Sequence, residues 1–324
     1  MDSNQTEMDV TTLTDGLDDD DQDIIKRFGV AKNLLGMSRL TALYIIFILA
    51  IFLLNIFFIV VILESRRLRS SSRHILIVNI CLGDLLMALF VLPVLLNLAM
   101  RDGQDIRDCT TYFVLHFFAD FLIPSLTTLA ILVLNLDYIL RLCCQSYSDG
   151  ASRSTLMIFL FFLPWVVSAS VLIPLYVDGI IKVPRAVPQT CVIDIGGYLT
   201  RILLIVSYFP QAGLLLLFNI IVSVMYLTRR DSYGLDVCGE RIRAPVDICL
   251  ASFATMLLYT PALIITLLTS EGYLGCQNTE ECRALNKVNT AASWLMLTKF
   301  WVTPLCWLAC RDTRAAIRHL LGCC

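Results

Sequence analysis

The chain has 324 residues, of which 57% are hydrophobic and only 16% charged, against roughly 25% charged in an average soluble domain. The mean hydropathy of +0.75 and the long apolar blocks exclude a water-soluble globular fold, which could not bury so much apolar surface. The net charge is −2, and neither a nucleic-acid partner nor a cofactor is expected.

Residues 1–38 come first and are acidic, with the run "DGLDDDDQD". They contain no apolar signal-peptide core and are expected to form a solvated, disordered extracellular tail. Asn4-Gln5-Thr6 is a glycosylation acceptor if it faces the lumen. Residues 39–310 then carry seven apolar blocks, at 40–63, 75–98, 112–140, 154–177, 200–227, 246–269 and 287–309. Each is long enough to cross a bilayer as helix, which takes about 20 residues. Lipid offers no partner to a backbone N–H or C=O, so helices are required. The fold class expected is an all-α membrane protein, a seven-transmembrane helix bundle. The last piece, 311–324, begins "RDTRAAIRHLL", an amphipathic helix able to lie on the inner leaflet. It ends in Cys323 and Cys324, candidates for palmitoylation.

Loop charges set the orientation. With the N-terminus outside, the cytoplasmic side holds 13 arginines against 7 acidic residues, and the other side 11 basic against 17 acidic. A basic excess marks the cytoplasm, so the expected location is the plasma membrane with the N-terminus extracellular. Cys109, Cys191, Cys276 and Cys282 then fall in outer loops, where oxidising surroundings favour pairing. Cys109–Cys191 and Cys276–Cys282 are the expected disulfides, although sequence alone leaves the connectivity open.

Several residues together give the chain a family resemblance. Asn55 lies in "LLNIFFIVV", Asp84 and Pro93 in "NICLGDLLMALFVLP", Asp137 ends span three, and Trp165 precedes Pro174 in span four. Spans five, six and seven contain Pro210, Pro261 and Pro304. Over residues 40–322 the sequence resembles the rhodopsin-like (class A) G-protein-coupled receptors, as an atypical member. The departures fall on the activation machinery. Tyr138 stands where the family has the arginine of its Asp-Arg-Tyr motif, and Tyr259 where it has a tryptophan. "TPLCW" (303–307) replaces Asn-Pro-x-x-Tyr, Phe218 replaces a common tyrosine, and Cys109 lies about one turn further from Asp137 than usual.

Beyond the first two residues of each span, four charges sit within the spans: Asp84, Asp120, Asp137 and Lys299. Each costs about 2.5–3.5 kcal/mol on insertion scales and therefore needs a partner or a purpose. Asp84 and Lys299 both lie roughly 14–15 Å from the inner ends of their spans at about 1.5 Å per residue. The resemblance places them around the family's buried sodium site. An Asp84–Lys299 ion pair replacing sodium is expected, with Asn55 and Thr127 as hydrogen-bond partners. A retinal Schiff base is not expected, because the opsin lysine would fall at Leu297, about 200° round the helix from Lys299. Asp120 lies in the outer half of span three, where the resemblance puts a ligand-binding carboxylate. His116, Phe121, Tyr259 and Trp294 complete the candidate ligand site, and a bond between Asp120 and His116 or a neighbouring helix is the structural alternative.

Asp137, Tyr138 and Arg141 are the residues expected to face a G protein. Tyr138 cannot make the bidentate contacts of a guanidinium. Arg141 can pair with Asp137 one turn away, though a solvated loop arginine is the simpler expectation. Two functions stay open. One is a receptor for an extracellular ligand of unknown class, signalling to heterotrimeric G proteins. The other is a non-coupling decoy, scavenger or partner receptor of the same fold. Absent repeats argue against a transporter. Only three histidines, at 74, 116 and 319, and no nucleotide-binding loop argue against an enzyme or a metal site.

Overall fold

The structure is a computed structural model that describes residues 37–100, 114–115, 117–143, 150–182, 196–228, 245–270 and 279–322. Almost all of these are helical, and no strand occurs among them. The long helices are α1 (Met37–Glu64), α2 (Ser72–Asn97), α3 (Phe118–Cys143), α4 (Gly150–Lys182), α5 (Arg201–Thr228), α6 (Val246–Ser270) and α7 (Thr279–Cys306). The short α8 (Arg311–Leu320) follows.

Six of these helices, α1 to α6, are long and apolar enough to cross a membrane, and the chain is an all-α, multi-pass membrane protein. The seventh predicted span is helical but falls outside that set. Its opening turns read "TEECRALNKVN", and Lys299 interrupts the apolar remainder. α7 nonetheless packs along α6 and against α1.

The helices carry apolar side chains on their outer faces as well as in the core, and turn polar ones inward. Ile46, Phe162, Val166, Phe253 and Leu227 are among the exposed apolar residues, while Asn55, Asn79, Asp84, Thr127, Asn135, Asp137, Asp247 and Lys299 are buried. In a bilayer this arrangement gives apolar side chains to lipid and lets buried polar groups find each other. The most apolar windows of α2 and α3 are 72% buried, against 22–39% for the corresponding windows of α1, α4, α5 and α6. α3 is the centre, touching α2, α4, α5 and α6.

Two π-helical turns interrupt this core, at Met87–Val91 in α2 and Phe118–Leu122 in α3. Each ends within two residues of a proline, Pro93 and Pro124. A proline lacks the N–H that would bond four residues back and its ring crowds that carbonyl. Widening the preceding turn relieves both problems.

Where α2 meets α3, Gly83 lets the helices close up. A Cβ on Gly83 would lie 3.0 Å from Thr127 Cγ2 and 3.4 Å from Leu126 Cδ2. Gly83→Ala should therefore destabilise the protein by about 1–3 kcal/mol through overpacking, read as a lower apparent Tm. Adding Thr127→Ser, which removes the clashing methyl and keeps the hydroxyl, should recover most of the loss. A double variant as unstable as Gly83→Ala would show the contact is not the cause.

Candidate functional site

Pro124 cannot cap the carbonyl of Asp120 four residues earlier, and another helix supplies the donor. The Tyr259 hydroxyl of α6 donates to that carbonyl at 3.1 Å. The Tyr259 ring meets Tyr208 of α5 edge-on, with centroids 5.0 Å apart. The Lys299 ammonium of α7 lies 5.3 Å from the Tyr259 ring centroid, within cation–π range. One buried side chain thus touches α3, α5 and α7.

The expected ligand-site residues divide around this tyrosine. The Asp120 side chain is half-buried inside the π turn and acts electrostatically on both Tyr44 of α1 and Tyr259. Phe121 and Tyr259 join one aromatic cluster with Phe117 and Tyr176, the last two stacked at 4.2 Å. Trp294 belongs to a different group, edge-on to Tyr44 at 5.6 Å and to Phe47 at 5.0 Å. Asp120 therefore acts on one tyrosine of each of two aromatic walls, Tyr259 in one and Tyr44 in the other. The side chain of His116 is outside the described residues.

Deeper in the bundle, the Lys299 ammonium donates to Thr127 Oγ1 at 2.5 Å. It also lies 5.3 Å from the Phe300 ring. Asp84 is equally buried and interacts electrostatically with Lys299. The expected direct Asp84–Lys299 bond is not formed, because the ammonium turns to Thr127 and the aromatic rings, and neither carboxylate oxygen accepts a hydrogen bond. Asn55 is corrected too. Its amide bonds the Ile51 carbonyl at 2.8 Å and the Phe300 carbonyl at 3.0 Å, so it fixes the α7 backbone next to Lys299 and does not bond the lysine.

At the end of the bundle that carries Asp137, the expected residues pack within the bundle or against it. Asp137 is buried, pairs with Arg141 at 3.0 Å and accepts from Ser72 Oγ at 3.0 Å. Arg141 also donates to Ser72, so it is a half-buried, paired residue and not a solvated loop arginine. Tyr138 is buried. Beside it, Arg73 of α2 forms an ion pair with Asp247 of α6. One turn further in, Asn135 Nδ2 donates to Ser252 Oγ at 3.0 Å, tying α3 to α6.

No family model and no curated protein matches this chain.

Tyr44, Ser72, Arg73, Asp247 and Ser252 escaped the sequence reading. For Asp247 a signal existed: it lies inside the apolar block 246–269, where a charge asks for a partner. Arg73 sits two residues before the second block, so composition files it with the loop. Among the described residues no group of His, Cys, Asp and Glu could hold a metal ion. Cys81, Cys143, Cys249, Cys306 and Cys310 are free. Asn4, Cys109, Cys191, Cys276, Cys323, Cys324 and the side chain of Cys282 lie outside the described residues. α8 turns Thr313 inward, half-buries Ala316 and Ile317 against the core, and exposes Arg311, Arg314 and Arg318.

Proposed function

We propose that this chain is a seven-transmembrane receptor of the rhodopsin-like type, with α7 as the seventh span and the N-terminus outside the plasma membrane. α8 lies on the inner leaflet. An extracellular ligand binds between the aromatic walls beside Asp120, and the signal passes to a heterotrimeric G protein. The observation that carries this reading is the placement of Tyr259. A ligand that displaces its hydroxyl from the Asp120 carbonyl moves the same ring that meets Tyr208 edge-on and faces Lys299, so a change near Asp120 reaches three helices at once. Packed contacts of this kind carry coupling between sites when they have more than one stable arrangement.

The second reading, a binding protein of the same fold without coupling, draws on Tyr138, which puts a buried phenol where the family carries a guanidinium. Reconstitution with a panel of G proteins separates the two. Nucleotide exchange above the receptor-free rate with the wild-type chain is expected for the receptor. Silence of the wild type with a gain on Tyr138→Arg would favour the decoy.

A further inference from the structure

The fold brings a guanidinium to the neighbourhood of residue 138 from another helix. Arg73 stands in the first turn of α2 and Asp247 in the first turn of α6. Their side chains, 11% and 1% exposed, form an ion pair across 174 residues of sequence. Tyr138 and Cys310 lie within electrostatic reach of the guanidinium. The adjacent residue, Ser72, bonds both Asp137 and Arg141 of α3. The first turn of α2 therefore grips α3 through Ser72 and α6 through Arg73. α6 itself packs chiefly on α7, α5, α3 and the turn after α7, so the ion pair is a strut reaching past its nearest neighbours.

We infer that Arg73 and Asp247 are a clasp that closes the inner mouth of the bundle, and that Arg73, once released, is the guanidinium that meets the G protein in place of an arginine at 138. This rests on the receptor reading above. A buried ion pair is stable only while each charge keeps its partner or regains water. Both residues stand at helix ends, so a small displacement of the α6 end exposes them and makes the open arrangement accessible. The two are not equivalent after opening. Asp247 keeps the favourable field of the α6 N-terminus, while Arg73 is left with five donors and no acceptor. A carboxylate or the free carbonyls at a helix C-terminus of the partner match that need. Tyr138, too short and uncharged to reach outward, fills the space beside the clasp.

The test uses the full chain with spin labels on non-canonical amino acids at Ser70 and Val246, both exposed. The wild type should give mainly one short distance. Asp247→Asn should raise the population of a longer distance roughly tenfold, the scale of a typical coupling between sites. The exchanged pair Arg73→Asp with Asp247→Arg should return the short distance. The neutral pair Arg73→Gln with Asp247→Asn strands no charge and serves if the single variant does not fold; it too should open. An unchanged distance distribution in the neutral pair overturns the clasp. In the exchange assay, Asp247→Asn should raise basal activity several-fold and added Arg73→Gln should abolish the gain. A gain that survives Arg73→Gln overturns the role of Arg73 and leaves the receptor reading standing. Opening without exchange on any G protein leaves the clasp standing, overturns the proposed role of Arg73 and removes the receptor reading.

Discussion

Lys299→Ala is expected to cause the largest loss of folded protein among single substitutions in the middle of the bundle. The ammonium is the nearby positive charge acting on Asp84, whose two oxygens are buried and accept no hydrogen bond. Removing it leaves an uncompensated buried carboxylate, at about 3–5 kcal/mol, a large part of the roughly 5–15 kcal/mol that holds a fold together. Folded yield by size-exclusion in detergent and apparent Tm report the loss. Lys299→Met with Asp84→Leu removes both charges and should recover part of it. Thr127→Val should cost less, about 1–3 kcal/mol, because the ammonium keeps the Tyr259 and Phe300 rings and the Asp84 charge. If the double replacement is no better than Lys299→Ala, the two charges do not stabilise each other.

Trp307→Ala should rank next. Trp307 is fully buried in the single 3-10 turn between α7 and α8 and belongs to the large core cluster with Phe58, Leu76 and Leu134. Emptying that site should cost about 3–5 kcal/mol and loosen the join between α7 and α8. Trp307→Phe gives the discriminating comparison. The indole N–H makes no hydrogen bond, so phenylalanine gives up only volume and removes an unpaired donor. An apparent Tm for Trp307→Phe close to wild type, with Trp307→Ala far below it, is the expected pattern. Equal losses would mean that the N–H, and not the ring, matters.

Much of the site was legible because lipid makes polarity expensive. Asp84, Asp137 and Lys299 stand out by that cost, the first two also as landmarks of the resemblance, and all three are buried in the bundle. Thr127 was placed beside Lys299 and bonds it. Asn55 was placed in the right neighbourhood but on the wrong partner, because a side-chain amide within reach of a lysine is also within reach of the backbone carbonyl next to it. The local pair of Arg141 with Asp137 was legible as an i,i+4 spacing, whereas its second bond, to Ser72 69 residues away in sequence, was not.

Span length and apolar character follow from hydropathy, a property each segment carries by itself, and six of the seven blocks are helices long and apolar enough to cross a membrane on that ground. Which polar atoms bond each other does not follow, since it depends on how helices far apart in sequence are rotated and how deep they sit. The π turns before Pro93 and Pro124 shift that rotation. They help set where Asp120 and its carbonyl lie and how Tyr259 joins three helices. A hydrogen bond fails when its partner is a few ångströms away, and only the folded packing fixes positions to that tolerance.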